Sequence, residues 1–63
     1  MLKFIIYKDD EKAEVFEHQE DSSNPFRWLL NHQGQSIHYA LKYGGYKVEQ
    51  IDEETEKSTF WEL

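Results

Sequence analysis

Four short stretches of the chain carry β-branched and aromatic residues in the arrangement typical of β-strands. They span residues 2–8 (LKFIIYK), 13–18 (AEVFEH), 46–51 (YKVEQI) and 58–63 (STFWEL). Polar, acidic turns separate the members of each pair, at residues 9–12 and 52–56. The pattern therefore predicts two β-hairpins, one at each end of the chain.

The segment between the hairpins has the periodicity of an amphipathic helix. Asn24 suits an N-cap and Pro25 the first helical position, while Gly44 and Gly45 suit the C-terminal end. On a wheel with steps of about 100°, five apolar residues lie within about 60° of Phe26. They are Leu29, Leu30, Ile37, Ala40 and Leu41. Because this stripe keeps its phase across Gly34, we expect one helix from about Pro25 to Tyr43; two short helices joined at residues 33–35 are the alternative.

These elements predict an α+β protein of ββαββ order, with one long helix packed on one face of a four-stranded antiparallel sheet. The 63 residues are expected to form a single domain, residues 1–63. One helix covers only one face of such a sheet, so some apolar strand residues must face outward. The candidates are Ile5, Tyr7, Phe16, Ile51 and Trp61. Such a face is either an interface or a partly solvated surface.

One flank of the predicted helix has an unusual composition for an exposed surface. Trp28, His32, Tyr39 and Tyr43 cluster there, and the adjoining arc carries polar residues that include Arg27, Asn31 and Lys42. Aromatic and arginine side chains dominate binding hot spots, because they bury much area at little cost in rotamer freedom. These seven residues are the predicted protein-binding residues. The alternative is that the aromatic residues cover the sheet edge as peripheral core.

The charge distribution supports protein partners better than nucleic acid. The chain has 13 acidic and 7 basic residues, and no Asp or Glu occurs between Ser22 and Val48. A net charge of -6 repels phosphate backbones, so nucleic-acid binding through a helix face from Arg27 to Lys42 is expected to be weak. Conversely, acids in the two hairpin turns could imitate DNA phosphates and block a nucleic-acid-binding protein. This alternative rests on Asp9, Asp10, Glu11, Asp52, Glu53 and Glu54.

Catalytic chemistry has little support in the sequence. The chain has no cysteine, and its histidines at positions 18, 32 and 38 lack the i, i+4 spacing of a helical metal pair. Its paired carboxylates lie in turns, where the burial that shifts a catalytic pKa is rare. No phosphate-binding glycine loop or nucleophile motif is present. We therefore expect no enzyme activity, no cofactor and no metal site.

The stretch Asn24 to Val48, NPFRWLLNHQGQSIHYALKYGGYKV, resembles small uncharacterised proteins encoded by phages and prophages, without indicating a named family. The resemblance implies an accessory protein that binds a host or phage component. No apolar run approaches the length of a membrane span and no secretion signal begins the chain, so we expect a cytoplasmic protein that does not interact with membranes. The leading hypothesis is a non-enzymatic protein-binding protein that forms a homodimer.

Overall fold

The computed structural model describes residues 1–34 and 36–62, which form an antiparallel sheet and two helices. In chain order the elements are β1 (Leu2–Lys8), β2 (Glu11–Gln19), α1 (Ser23–Gln33), α2 (Ile37–Lys42), β3 (Tyr46–Asp52) and β4 (Ser58–Phe60). The sheet has the strand order β2-β1-β3-β4. The α+β class, the four-stranded antiparallel sheet and the hairpin on each side of the helical segment are confirmed.

The first hairpin turns at two aspartates. Asp9 and Asp10 have φ angles of 52° and 67°. Positive φ at both central residues is the type I′ geometry, which matches the twist of the flanking strands. Aspartate tolerates this left-handed region better than most side chains do. The Asp9 N–H donates to the Gly45 carbonyl at 3.0 Å, which connects the turn to the segment that leads into β3.

The helical segment lies where the pattern predicts it, but it is divided into two helices. Gly34 has a φ of 72° and donates its N–H to the Leu30 carbonyl at 3.0 Å, which ends α1. Ser36 caps α2, because its side-chain oxygen accepts a hydrogen bond from the Tyr39 N–H at 3.2 Å. The sequence favoured one continuous helix through Gly34, whereas the structure has two helices here. Gln35, at the same junction, lies outside the described residues.

The hydrophobic core lies between the helices and one face of the sheet. Phe4 and Ile6 of β1, Val48 of β3 and Leu29 of α1 are completely buried there. Ala40 of α2 is also buried, while Ile37 and Leu41 are partly buried against the same cluster. The helices therefore bury one narrow stripe each, with Trp28, Ile37 and Leu41 packed at its margins.

Two of the predicted core residues are exposed. Phe26 and Leu30 keep 44% and 39% of their surface accessible. Pro25 and Leu29 face the sheet, so that Phe26 and Leu30 project to one side of α1. The expectation that both lie in the core was therefore wrong. It assumed one phase for the whole segment, whereas two helices separated at Gly34 orient independently.

Neither of the two described helices packs on the other face of the sheet. Ile5 pairs with Val15 and Glu49, and Tyr7 pairs with Lys12 and Lys47, so Ile5 and Tyr7 share this open face. Ile51 lies on it too, opposite Lys3. The remaining two candidates for the open face, Phe16 and Trp61, instead pack against the core on the helix side.

Candidate functional site

The exposed large apolar side chains are concentrated on the helices. Among the described residues they are Met1, Phe26, Leu30, Tyr39, Tyr43 and Phe60. Four of these six belong to the segment between the hairpins, which also contains no carboxylate side chain. The helix layer is therefore the strongest candidate for a binding surface.

The four aromatic candidates form two pairs, one associated with each helix. Trp28 and His32 of α1 stack with ring centroids 3.8 Å apart and planes at 12°. Tyr39 and Tyr43, at the C-terminal end of α2, lie 5.6 Å apart at 49°. Both pairs arise because residues four apart are neighbours on a helix surface.

The two pairs differ in exposure. Trp28 is half-buried, because it packs on the core and meets Tyr46 edge-on at 6.3 Å. Tyr39 and Tyr43 are 40% and 67% exposed. We call Tyr39 and Tyr43 the tyrosine pair. Trp28 thus takes part in the peripheral packing that the sequence left open as an alternative, whereas the tyrosine pair projects from the helix layer.

The polar candidates are also divided between the helices. Arg27 and Asn31 are exposed on α1, and Lys42 is exposed on α2. The Lys42 ammonium lies 5.8 Å from the centre of the Tyr43 ring, within the range of a cation–π contact. The strip from Arg27 to Lys42 that the single helix would present is therefore interrupted at the Gly34 junction.

A second surface, which the sequence did not indicate, surrounds Trp61. Three adjoining hollows of about 330, 290 and 440 Å³ share Leu41 and Trp61 in their walls. Phe26 and Ile37 line the first hollow, and Phe60 lines the second. We call this surface the Trp61 groove, defined by Phe26, Ile37, Leu41, Phe60 and Trp61. Its lining comes from both helices and from the β4 edge of the sheet, where Phe60 pairs with Glu49 on the open face.

Trp61 is held firmly although it lies near the end of the chain. Its backbone N–H donates to the Val48 carbonyl at 2.9 Å, and its indole Nε1–H donates to Gln50 Oε1 at 3.1 Å. Its ring meets Phe4 edge-on at 6.0 Å. The only sequence signal for this site was the pair of large aromatic residues at 60 and 61, and their pairing with Phe26 and Leu41 depends on tertiary structure.

The six acidic candidates do not form one cluster. Asp9, Asp10 and Glu11 follow β1, whereas Asp52 pairs with Leu2 at the opposite end of that strand, about 20 Å away along the strand. Four of the acids also have partners within the chain. Asp9 contacts Lys8 Nζ at 3.9 Å, and Asp10 bonds Lys47 at 2.9 Å. Asp52 accepts backbone hydrogen bonds in its own turn, and Glu53 contacts His18 Nδ1 at 3.1 Å. The exposed Glu14 and Glu17 of edge strand β2 lie between the two ends and were not among the candidates.

Two pKa shifts accompany local hydrogen bonds on the sheet. The pKa of Tyr7 is raised, mainly because its hydroxyl donates to Glu49 Oε1 at 3.0 Å, with smaller effects of burial and the Glu49 charge. The pKa of Asp52 is lowered, because its Oδ1 accepts hydrogen bonds from the backbone N–H groups of Glu54 and Thr55. Both groups stabilise strand or turn geometry and lie outside the helix layer.

The part of the chain that the structure describes contains neither a cluster of metal-ligating side chains nor a membrane-spanning helix. Within residues 1–34 and 36–62, no three His, Cys, Asp or Glu side chains are grouped closely enough to hold a metal ion. Over the same residues, no helix combines the length and apolar character needed to cross a bilayer. The site geometry consists of exposed rings and an apolar groove.

Comparison with known proteins adds no relative to this small α+β protein. No family model, no curated protein sequence and no solved structure matches the chain.

Proposed function

We propose that this is a non-enzymatic, cytoplasmic protein-binding domain whose first partner is a second copy of itself. The observation that carries the proposal is the tyrosine pair, which projects from α2 with 40% and 67% of its two side chains exposed. Tyrosine supplies large contact area with few rotatable bonds, which favours its use as an interface anchor. Trp28, His32, Arg27, Asn31 and Lys42 are the surrounding contact residues of this proposal.

The charge distribution favours approach through the helices. Two copies that each carry a net charge of -6 repel one another at long range. The segment between Ser22 and Val48 contains no Asp or Glu, so contact through this segment brings the fewest carboxylates together. Repulsion between the two copies is therefore smallest on the side that carries the tyrosine pair.

The test is the molar mass of the protein in solution. We expect light scattering coupled to size-exclusion chromatography to give twice 7.6 kDa for the wild-type chain, with little dependence on salt. The double substitution Tyr39→Ser and Tyr43→Ser should return the mass to that of one chain. Phe60→Ser is the matched control, because it removes an exposed ring from β4 and should leave the dimer intact.

Two results would overturn this proposal. One is a wild-type mass of one chain at the highest concentration reached, and the other is a dimer that the double substitution leaves unchanged. Circular dichroism must show that each variant is folded. Trp28→Ala is a poorer test, because Trp28 packs on the core and its loss changes stability together with any contact.

The acidic inhibitor remains a second proposal, and the placement of Glu14 and Glu17 favours it. These two side chains continue the acids of the first turn along the exposed strand β2, toward Glu53 and Glu54 at the other end. A nucleic-acid-binding protein that binds this edge should release its DNA duplex. Rising salt should weaken that contact and so restore binding of the duplex.

The test is displacement of a fluorescent DNA duplex from a panel of purified DNA-binding proteins. Glu14→Gln with Glu17→Gln should abolish the displacement, and no displacement by the wild-type chain would eliminate the proposal.

A further inference from the structure

The Trp61 groove is a second interaction surface, separate from the tyrosine pair. Around α2, Ala40 faces the core, Tyr39 and Tyr43 lie to one side of it, and Ile37 and Leu41 lie to the other. We propose that the groove binds an acidic amphipathic segment of a different protein. This inference rests on the proposed protein-binding function, and it assigns that function a second site and a partner chemistry.

The groove is preorganised for an inserted side chain. Trp61 forms its central wall and is fixed by hydrogen bonds to Val48 and Gln50. The hollows on either side of it open directly to the surface and do not require a rearrangement of the core. A site whose walls are already ordered costs less conformational entropy when a ligand binds.

The lining fits apolar anchors from a short segment. Phe26 and Ile37 form one end of the groove with Leu41, and Phe60 lies toward the other. Hydrophobic grooves between packed elements accept amphipathic segments through apolar residues spaced at one turn. The groove therefore selects a segment that presents two or more large apolar side chains on one side.

The rim of the groove sets the preferred charge of that segment. His38 and Lys42 line the third hollow, and Lys47 lines the second. Glu62 is the carboxylate among the residues that line the three hollows. Within residues 1–34 and 36–62 the ion pairs use Lys8, Lys47 and His18, so the Lys42 ammonium is oriented by no carboxylate of that part of the chain. A carboxylate of the bound segment, beside its apolar anchors, is attracted by the Lys42 ammonium. A lysine at the same position of the segment is repelled by it.

The experiment is a selection from a displayed library of random 12-residue peptides, with the wild-type chain immobilised and Leu41→Asp used for counter-selection. We expect the enriched peptides to combine large apolar residues with an excess of Asp and Glu. The most enriched peptide, synthesised with a fluorescein label, is then titrated by fluorescence anisotropy. Replacing its acidic residues by lysine should weaken binding about tenfold or more.

A charge reversal on the protein provides the matched comparison. Lys42→Glu leaves the apolar lining in place and should weaken binding of the acidic peptide about tenfold. Lys12→Glu makes the same change on β2, away from the groove, and should have less than a twofold effect. Both side chains are exposed, so neither substitution is expected to prevent folding.

Several results would overturn the inference. They are the absence of any peptide that survives the counter-selection, enrichment of peptides without acidic excess, and equal effects of Lys42→Glu and Lys12→Glu. If Leu41→Asp, shown by circular dichroism to be folded, instead abolishes the dimer, the second copy occupies the groove and the inference fails. The tyrosine double substitution separates the two proposals, because it should remove the dimer and preserve peptide binding.

Discussion

The tyrosine pair and the Trp61 groove lie on opposite sides of the same short helix, and they are built differently. The tyrosine pair consists of two rings four residues apart near the end of α2. The groove combines residues from α1, α2 and β4 with Trp61, which follows β4. The first surface is convex and complete within one segment, whereas the second is concave and exists only when distant segments are assembled.

This difference shows how one small domain can offer two kinds of contact. A projecting pair of rings suits a flat or self-complementary partner, because it adds area wherever it is covered. A hollow between elements suits an inserted side chain, because its shape and charge discriminate among ligands. The two surfaces therefore make different demands on the fold: the groove requires the relative position of helices and sheet, and the tyrosine pair requires only α2.

The largest expected effect comes from the core residue beneath both surfaces. Leu29 is completely buried between α1 and the sheet. Leu29→Ala should lower the free energy of unfolding by about 2–5 kcal/mol, through lost burial and the cavity that remains. Urea denaturation followed by circular dichroism measures this change. Leu30→Ala is the matched control, because Leu30 is exposed, and it should cost about 1 kcal/mol or less. Equal losses for the two leucines would contradict the assignment of Leu29 to the core.

The comparison also explains which features could be predicted from the sequence. The strand pattern placed Ile5 and Tyr7 among the candidates for the open face, and the register confirms that they share it. The helical wheel likewise placed Tyr39 and Tyr43 on one flank, and their rings lie 5.6 Å apart. Both features depend only on the local geometry of a strand or a helix. They therefore hold even where the tertiary arrangement differs from the expected one.

The features that could not be predicted depend on relationships between segments. The phase of the apolar stripe across Gly34 favoured one helix, although Gly34 and Ser36 are also a good C-cap and N-cap. In the structure these two caps end α1 and begin α2. Because the segment therefore has two helix axes, the phase of the stripe no longer requires Phe26 to face the core. Trp61 was a candidate for the open face because the register of β4 was unknown, and a shift of one residue exchanges the faces of a strand.

A smaller effect should follow from substitution at the junction between the helices. Gly34 has a φ of 72°, and there is open space where a side chain would project. Gly34→Ala should therefore cost about 1 kcal/mol through backbone strain alone. Gly34→Asn should cost less, because asparagine adopts the left-handed region more readily. Thermal and urea denaturation of the two variants test this order.

The Gly34 substitutions also sharpen the comparison between the two surfaces. The groove brings Phe26 of α1 against Ile37 and Leu41 of α2, so its shape depends on the angle at the junction. The tyrosine pair lies beyond the junction and does not. Gly34→Ala should weaken peptide binding in the groove more than it weakens the dimer. The opposite order would show that the groove does not depend on the division of the helical segment.

The smallest expected effect is spectroscopic, and it concerns the open face of the sheet as a control for the tyrosine pair. Tyr7 has a raised pKa because its hydroxyl donates to Glu49, so the folded state favours the protonated phenol. The stabilisation from this hydrogen bond is present below the ordinary tyrosine pKa and is lost as pH rises through the raised pKa.

In an absorbance titration of tyrosinate, Glu49→Gln should therefore shift the titration of one of the four tyrosines to lower pH. Tyr7→Phe identifies that tyrosine by removing its contribution. Neither substitution should change the dimer, because Tyr7 and Glu49 share the face of the sheet opposite the described helices. A dimer that dissociates when Glu49 is replaced would place self-association on the open sheet instead of on α2.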